Sequence, residues 1–205
     1  MRVSVNLSAQ QFRQAQLPAR LQQLLTQYGT RAELIELEIT ETEAMADPDT
    51  ARQVFERLCA LGLSIALDDF GTGYSSLSYL RQLPVSRLKI DREFIRQVMH
   101  NHHDALLVRA MIGMAHTLGL PVVAEGVEEV AQLEFLHSNH CESYQGWHFA
   151  KALPAVDISR MLEGVDRTTA FEQRQLAERR TPAKQPAAPY PQASKATLSI
   201  AKPLP

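Results

Sequence analysis

Residues 63–73 read Leu-Ser-Ile-Ala-Leu-Asp-Asp-Phe-Gly-Thr-Gly, a mostly apolar run that leads into two adjacent aspartates and a glycine-rich loop. The apolar part predicts a buried strand of the kind found in parallel sheets. Gly71 and Gly73, which follow Asp68 and Asp69, predict a flexible loop directly after the strand. This stretch therefore predicts a buried strand that carries carboxylates to its carboxyl end.

Strands and helices alternate on both sides of this stretch. The predicted strands are 3–7, 34–40, 63–67, 87–90, 121–124 and 142–145, and the predicted helices are 17–28, 48–61, 76–83, 104–118, 128–137 and 155–162. Gly29 and Gly62 end two of the helices, and Asp47 before Pro48 begins another. This alternation predicts a parallel α/β architecture.

Polar side chains follow successive predicted strands: Asn6, Glu38, Asp68, Asp69, Lys89, Glu125 and Gln145. A doubly wound sheet gathers its site at one switch point, whereas a (β/α) barrel gathers it from the carboxyl ends of all its strands. The distribution therefore favours a TIM-like (β/α)8 barrel. We count about six of the eight β/α units of a closed barrel.

The chemistry of these residues predicts a metal site. Clustered carboxylates repel one another, and divalent cations are the usual compensation. Ligands that carry only oxygen suit Mg²⁺ or Mn²⁺ rather than zinc. Asp68 and Asp69 are adjacent and can serve two ions, the usual device for displacement at phosphorus. Lys89 adds a positive charge, and Glu125 could hold the second ion or orient the attacking water.

Each residue also has an ordinary structural explanation. Asn6 could cap a turn, and Glu38 and Glu41 could be acidic residues at helix starts. Asp68 and Asp69 could form a tight turn, and Lys89 could be a solvated charge. A cluster without function requires all of these explanations to hold at once, and we therefore favour the metal site.

Composition narrows the class of protein. The net charge of −2 over 205 residues gives no positive field for DNA or an anionic membrane. Cys59 and Cys141 form neither a disulfide framework nor a zinc motif, and we expect reduced thiols in a cytoplasmic protein. We recognise no signal peptide or membrane-spanning run and expect no membrane contact from this segment. We expect His100, His102 and His103 in a solvated loop, because their spacing fits no metal site.

The character of the chain changes near residue 165. Six of the eleven prolines lie between Pro182 and Pro205, and Ala, Gln and Lys are frequent there. Such a composition cannot bury a core, so we predict a disordered tail over residues 165–205 after a folded domain over residues 1–164.

The motifs together point to a family. Residues 68–77, Asp-Asp-Phe-Gly-Thr-Gly-Tyr-Ser-Ser-Leu, resemble the signature of EAL-domain cyclic di-GMP phosphodiesterases. The resemblance extends to residues 4–8, 37–41, 88–91, 123–128 and 145–146, and it covers residues 1–163 in order. It implies a (β/α) barrel with one antiparallel strand, and hydrolysis of cyclic di-GMP to linear pGpG with two Mg²⁺ or Mn²⁺ ions.

The resemblance also implies roles for single residues. Three residues match ligands of one metal: Asn6, Glu38 and Asp68. Three match the second metal site: Asp68, Asp69 and Glu125. Glu125 matches the general base, and Lys89 matches the lysine that contacts the water or phosphate. Gln145 and Asp91 match substrate contacts, and four residues match the support of the loop over residues 68–76: Glu41, Glu128, Gly71 and Gly73.

The same resemblance implies partners. We expect cyclic di-GMP as the ligand and a homodimer through the barrel face and the loop over residues 68–76. In a longer form of the protein, a sensor or GGDEF domain would precede the segment.

One departure from the family affects the predicted activity. The Glu-Ala-Leu motif is absent, and Glu43-Ala44-Met45 lies in the wrong place to replace it. We therefore expect a barrel that is incomplete at its N-terminus, without the first strand and helix, and impaired turnover. The alternatives are a non-catalytic module that binds cyclic di-GMP or another protein, and a remnant that does not fold alone. Trp147 and Ala152 are further departures that we expect to be tolerated.

Overall fold

The computed structural model describes residues 2–73, 77–162 and 202–203. Within these residues, one sheet contains seven strands in chain order, and the first six run parallel. The strands are β1 (Val3–Asn6), β2 (Ile35–Thr40), β3 (Ser64–Phe70), β4 (Arg87–Ile90), β5 (Val122–Ala124), β6 (Ser143–Tyr144) and β7 (Lys202–Pro203). The last strand pairs antiparallel with β6. The predicted parallel α/β architecture is confirmed.

Helices connect the parallel strands. In the described part of the chain they are α1 (Ala9–Phe12), α2 (Leu17–Tyr28), α3 (Glu41–Ala46), α4 (Pro48–Ala60), α5 (Leu77–Leu80), α6 (Arg92–Gln97), α7 (His102–Thr117), α8 (Val130–Ser138) and α9 (Ala155–Leu162), with a 3₁₀ turn at Ala32–Leu34. None of these helices is both long enough and apolar enough to cross a membrane.

Several predicted helix ends are confirmed by local geometry. Gly29 ends α2 with φ of 59°, a backbone conformation that glycine adopts at no steric cost. The Asp47 side chain accepts a hydrogen bond from the Thr50 N–H at 3.2 Å and begins α4. These ends are specified locally, by one or two residues each.

Other elements differ from the prediction. Helix α7 begins at His102 because the Asn101 side chain accepts a hydrogen bond from the His103 N–H at 2.9 Å. His102 and His103 therefore lie in a first helical turn, and their prediction as loop residues was wrong. Three short helices that begin within three residues of a strand end were not predicted, namely α1, α3 and α6. Helices of four to six residues are too short to show a clear 3.6-residue pattern.

Strand β3 continues past its predicted end at Leu67 and contains an irregularity. Leu67 pairs with Leu88 and Phe70 pairs with Ile90, so three steps on β3 face two steps on β4. This extra residue is a β-bulge, and Asp69 within it has φ of 53°. The bulge carries the two aspartates of the strand end.

The two faces of the sheet differ in polarity because successive residues of a strand point to opposite sides. One set of alternating residues joins helix side chains in the apolar core: Leu37, Ile39, Ile65, Leu67, Leu88 and Ile90 from the strands, with Phe55, Leu58, Ile95, Ile112 and Leu136 from the helices. The other set includes buried polar side chains: Ser4, Glu36, Glu38, Asp68 and Lys89. Three members of this polar set, Glu38, Asp68 and Lys89, lie toward the carboxyl ends of their strands, where (β/α) barrels place their functional residues.

Among the described residues, 150–162, which include α9, belong to a separate unit from the sheet. The predicted disordered tail over residues 165–205 lies outside the described residues, apart from Lys202–Pro203 in β7.

Candidate functional site

The candidate site is formed where the parallel strands end. Glu38 lies near the end of β2, Asp68 in β3 and Lys89 in β4, and Glu125 and Gln145 directly follow β5 and β6. The register pairs Asn6 with Glu38 and Glu38 with Ala66, which lies two residues before Asp68, so the site residues of β1, β2 and β3 lie within two residues of one level. Parallel strands of one sheet present these ends at the same edge, as the sequence predicted.

The Lys89 ammonium lies at the centre of the cluster. Its Nζ is 2.8 Å from Glu38 Oε1 and 3.1 Å from Asp68 Oδ1, and it is also paired with Glu125 Oε1. Lys89 is only 3% exposed, so water screens these pairs weakly. Gln145 Nε2 donates a hydrogen bond to the same Glu125 oxygen at 2.8 Å. One buried cation thus connects three strand ends.

Burial and mutual repulsion change the pKa values in this cluster. Burial raises the pKa of Glu125 to about 7, against the opposing attraction of Lys89 and with added repulsion from Asp68 and Glu38. Burial also raises the pKa of Glu38, again against Lys89. Burial opposes the charge of Lys89, but the three carboxylates together raise its pKa above the ordinary value. One ammonium therefore does not fully compensate the carboxylates around it.

Asp69 lies in the bulge of β3, near the carboxylates of Asp68 and Asp91. Its positive φ is uncommon for a residue other than glycine. The Asp69 N–H donates to Asp68 Oδ1 at 3.1 Å, which holds the two aspartates together. Burial, followed by Asp68 and then Asp91, raises the pKa of Asp69 to about 6. The Asp91 Oδ1 also accepts the Glu93 N–H at 2.6 Å and begins α6. Asp91, which we expected to contact the substrate, lies beside Asp69.

Glu41 holds the loop that follows β3. Its side chain is 1% exposed, and Oε2 accepts hydrogen bonds from the N–H groups of Gly71 at 2.7 Å and Gly73 at 3.4 Å. Gly71 has φ of 99°, a backbone conformation that residues with a side chain rarely adopt, and it packs against Met111 and Phe94. The described start of the loop is thus held by a carboxylate on α3 and packs against α7.

Two residues that we predicted at the site, Asn6 and Glu128, have exposed side chains. Asn6 ends β1 with an exposed side chain, level with Glu38. The Glu128 side chain is exposed, and its backbone N–H donates to Gln132 Oε1 at 2.8 Å. The loop residues 74–76 lie outside the described part of the chain, so the prediction that Glu128 supports the loop stays a prediction.

The oxygen atoms of the site are of the kind that binds divalent cations, although the side chains are not arranged around a common point as metal ligands would be. The candidate ligands offer only carboxylate and amide oxygens, which suit Mg²⁺ or Mn²⁺. Glu38 Oε1 is buried and accepts no aligned hydrogen bond from the described residues, although Lys89 Nζ is 2.8 Å away. Within residues 2–73 and 77–162, no three acidic, histidine or cysteine side chains are arranged to hold a metal ion. The Lys89 ammonium occupies the space among the carboxylates instead.

A second polar layer beneath the site was not predicted from the sequence. Glu36 is buried and pairs with Arg87 Nε at 3.0 Å and with Arg2 Nη1 at 3.5 Å. The Ser4 hydroxyl also donates to Glu36 Oε1 at 3.2 Å. Strand alternation could have predicted this layer, because Glu36 and Arg87 each lie two residues before a site residue on the same strand face.

Another residue that was not predicted is Gln132, which is 4% exposed in the first turn of α8. Its amide bonds to the backbone of residues both before α8 and in α6. A glutamine at the third position of a helix is a recognised capping signal and could have drawn attention to it.

Comparison with known proteins places this geometry in a family. The family model described as "EAL domain" matches residues 1–152. Among curated proteins, the chain is 46% identical over 156 residues to the bifunctional diguanylate cyclase/cyclic di-GMP phosphodiesterase MucR of Pseudomonas aeruginosa. The match covers 76% of this chain and 23% of MucR, so the chain spans about a quarter of that relative's length.

Solved structures agree with the sequence match. A structure described as "PaMucR Phosphodiesterase, c-di-GMP complex" has a TM-score of 0.75 at 44% identity, covering 77% of this chain and 64% of the other. A manganese/cy-diGMP complex of Klebsiella pneumoniae BlrP1 has a TM-score of 0.67 at 30% identity, covering 73% of this chain and 38% of the other. The matched family model spans the strand ends that form the site, and the chain belongs to the EAL domain family.

Proposed function

We propose that this chain hydrolyses cyclic di-GMP to linear pGpG with the help of two divalent cations, Mg²⁺ or Mn²⁺. The observation that carries the proposal is the buried cluster of Glu38, Asp68 and Glu125 around Lys89 at the strand ends. The substrate is supported by the relative named as a cyclic di-GMP phosphodiesterase and by the c-di-GMP complex. The choice of cation is supported by the manganese complex of BlrP1.

The oxygen ligands divide into two sets under this proposal. One cation would be held by Asn6, Glu38 and Asp68, and the other by Asp68, Asp69 and Glu125. The raised pKa values of Glu38, Asp69 and Glu125 mean that further positive charge is favourable here. When bound, such cations activate water and stabilise the charge that develops on a phosphate.

The protein groups have separate tasks in the reaction. A water attacks phosphorus, one P–O bond of the cyclic dinucleotide breaks, and the leaving ribose oxygen takes up a proton to become a hydroxyl, which opens the ring. Glu125 accepts the proton of this water as the general base. Gln145 orients Glu125 through the 2.8 Å hydrogen bond, and Lys89 carries the positive charge that meets a phosphate oxygen. Gln145 and Asp91 contact the substrate.

The proposal extends to regulation and context. The loop over residues 68–76, held by Glu41 at Gly71 and Gly73, would couple the site to a homodimer interface on the barrel face. Because the chain spans 23% of MucR, a sensor or GGDEF domain in the same polypeptide is also part of the proposal. The segment would act in the cytoplasm.

One observation favours a second candidate function. The described carboxylates are paired with Lys89 and are not arranged as a metal-binding group. A site that keeps this arrangement would bind cyclic di-GMP without hydrolysing it.

The test is product formation by the purified chain. Cyclic di-GMP is incubated with MnCl₂, with MgCl₂ or with EDTA, and pGpG is measured by chromatography. Asp68→Asn removes a carboxylate shared by both cation sets, and Asp49→Asn makes the same change at an exposed position of α4 as the control. We expect slow formation of product with either metal from the wild type and the control, because the chain lacks the Glu-Ala-Leu motif, and no product from Asp68→Asn or in EDTA.

The two candidate functions give different results. Binding of cyclic di-GMP without product, by a folded chain with saturating Mn²⁺, would replace the hydrolase by the binding module. Product that persists in Asp68→Asn would contradict the assignment of this carboxylate, and absence of both binding and product would reject both functions.

A further inference from the structure

Gln132 is a buried polar residue whose side-chain amide forms three hydrogen bonds with the backbone. Its Oε1 accepts from the N–H groups of Glu128 at 2.8 Å and Glu129 at 3.0 Å, and its Nε2 donates to the Ile95 carbonyl at 3.2 Å. Two N–H donors require the amide oxygen and a carbonyl requires the amide nitrogen, so the orientation of the side-chain amide is determined. A buried amide with fixed partners on two segments holds those segments together.

The two segments that Gln132 joins both come from the candidate site. Glu128 and Glu129 belong to the stretch over residues 125–129, which begins at Glu125 and leads into α8. Ile95 belongs to α6, which follows the strand that carries Lys89. A single side chain therefore connects the segment after β5 to the helix after β4, across 37 residues of sequence.

The segment over residues 125–129 is also closely packed on both sides. Gly126 has φ of 69°, and a Cβ there would lie 2.6 Å from Arg92 Cβ at the start of α6. On the other side, a Cβ on Gly146 would lie 2.2 Å from the Val127 carbonyl oxygen. The Val127 N–H donates to the Gln145 carbonyl at 3.1 Å. Small movements of this segment are thus transmitted to α6 and to the turn after β6.

We propose that Gln132 is a positioning residue for Glu125, which it keeps between Lys89 and Gln145 by fixing the segment over residues 125–129 against α6. The inference rests on the proposed function, in which Glu125 binds a cation and accepts a proton. Errors of about 1 Å in the position of such a group reduce catalysis strongly. The Gln132 side chain is buried and bonds to backbone groups, so it would act on Glu125 through the backbone.

A purely structural role for Gln132 would be that of a helix cap. Capping α8 requires only the amide oxygen, which accepts the two backbone N–H groups. The bond from Nε2 to the Ile95 carbonyl adds nothing to the cap, and it is the bond that fixes the position of α6 relative to the segment. The substitution Gln132→Glu separates the roles, because it keeps an acceptor oxygen for the cap and places a carboxylate oxygen against the Ile95 carbonyl.

The experiment uses the metal-free full chain, labelled with ¹⁵N, and reads the side-chain amide of Gln145 by NMR. This amide donates to Glu125 Oε1 at 2.8 Å, so its resonances report the position of Glu125 without any need for turnover. The variants are Gln132→Glu and Gln132→Leu, and Glu134→Gln on the exposed side of α8 is the control. Exchange of the Glu128 and Glu129 backbone amides reports the cap.

In Gln132→Glu we expect the Glu128 and Glu129 amides to stay protected while the Gln145 side-chain resonances move toward those of a solvated glutamine. In Gln132→Leu we expect both changes. The affinity for Mn²⁺, measured by titration calorimetry, should fall about tenfold in Gln132→Glu, the usual lower range for a group that orients a metal ligand. The control should match the wild type in every measurement.

The proposal is overturned if Gln132→Glu leaves the Gln145 resonances as in the wild type, because Gln132 is then only a cap. It is equally overturned if Glu134→Gln moves them as much. Should Gln132→Leu not fold, the Gln132→Glu comparison alone decides. A wild-type chain that binds neither Mn²⁺ nor cyclic di-GMP would reject the proposed function, whereas the Gln145 resonances would still test the positioning.

Discussion

Replacing Lys89 by methionine removes the cation at the centre of the site and keeps a side chain of similar length. Lys89 is 3% exposed, and its ammonium is paired with Glu38, Asp68 and Glu125. Removing one partner of a buried ion pair costs about 3–5 kcal/mol, because a buried charge is left uncompensated. Here several carboxylates lose the same partner, while protonation of a carboxyl whose pKa is already raised limits the cost. We expect the variant to lose about 3–5 kcal/mol of unfolding free energy at neutral pH in EDTA.

Divalent cations should recover much of this loss. A cation at a hundred times its dissociation constant adds about 2.7 kcal/mol to the free energy of unfolding. Because the ammonium no longer occupies the space among the carboxylates, the cation should stabilise Lys89→Met more than it stabilises the wild type.

The assay is urea unfolding followed by far-ultraviolet circular dichroism, in EDTA and in saturating Mn²⁺. Arg20→Met on the exposed surface of α2 is the control for loss of a positive charge, and surface changes of this kind stay within about 0.5 kcal/mol. Equal stability of Lys89→Met and wild type in EDTA would refute the view that Lys89 compensates the carboxylates. A large loss that Mn²⁺ does not reduce would refute their assignment as cation ligands.

Three further predictions concern the surroundings of the site. In Glu41→Gln the charge that accepts the Gly71 N–H at 2.7 Å is lost, so we expect about 1–2 kcal/mol less stability and faster exchange of that amide by NMR, whereas unchanged exchange would contradict the hold on the loop. In Gly146→Ala the new Cβ would lie 2.2 Å from the Val127 carbonyl oxygen, so we expect the free energy of unfolding in urea to fall by about 2 kcal/mol or more. An unfolding midpoint equal to that of the wild type would contradict this prediction, because the backbone would then move aside at little cost. Burial raises the pKa of the Cys141 thiol from 9.0 to about 12. The unfolded chain therefore loses this proton at lower pH than the folded chain, and the free energy of unfolding should fall as pH rises from about 9 toward 12. The folded chain should react slowly with a thiol reagent at pH 8, and rapid reaction there would contradict the burial of Cys141.

Patterns that extend over only a few residues of sequence predicted most of the longer helices and the strands. The strand over residues 87–90 and the helix over residues 155–162 have the predicted bounds, and α2 ends at the glycine that the sequence indicated. Such features depend on alternation, capping residues and glycine, which act within a few residues. The short helix α6 was missed because its six residues are stabilised by the Asp91 cap and by tertiary packing rather than by a visible period.

The location of the polar residues was also predictable. Residues at the ends of parallel strands share one edge of the sheet whatever the details of packing. This rule predicts one neighbourhood for four side chains, and the structure places them in contact: Glu38, Asp68, Lys89 and Glu125. The rule gives the neighbourhood of a side chain but not its partner.

The sequence by itself therefore determined the parallel α/β order, the edge at which the site forms and the residue types that line it, since these follow from local periodicity and strand direction. Only the tertiary structure decided that Lys89 is the shared partner of three carboxylates, that Asp69 lies beside Asp91, and that Gln132 joins the segment before α8 to α6. These features depend on distances between groups far apart in the chain, which are set when the apolar faces pack and buried polar groups must find partners.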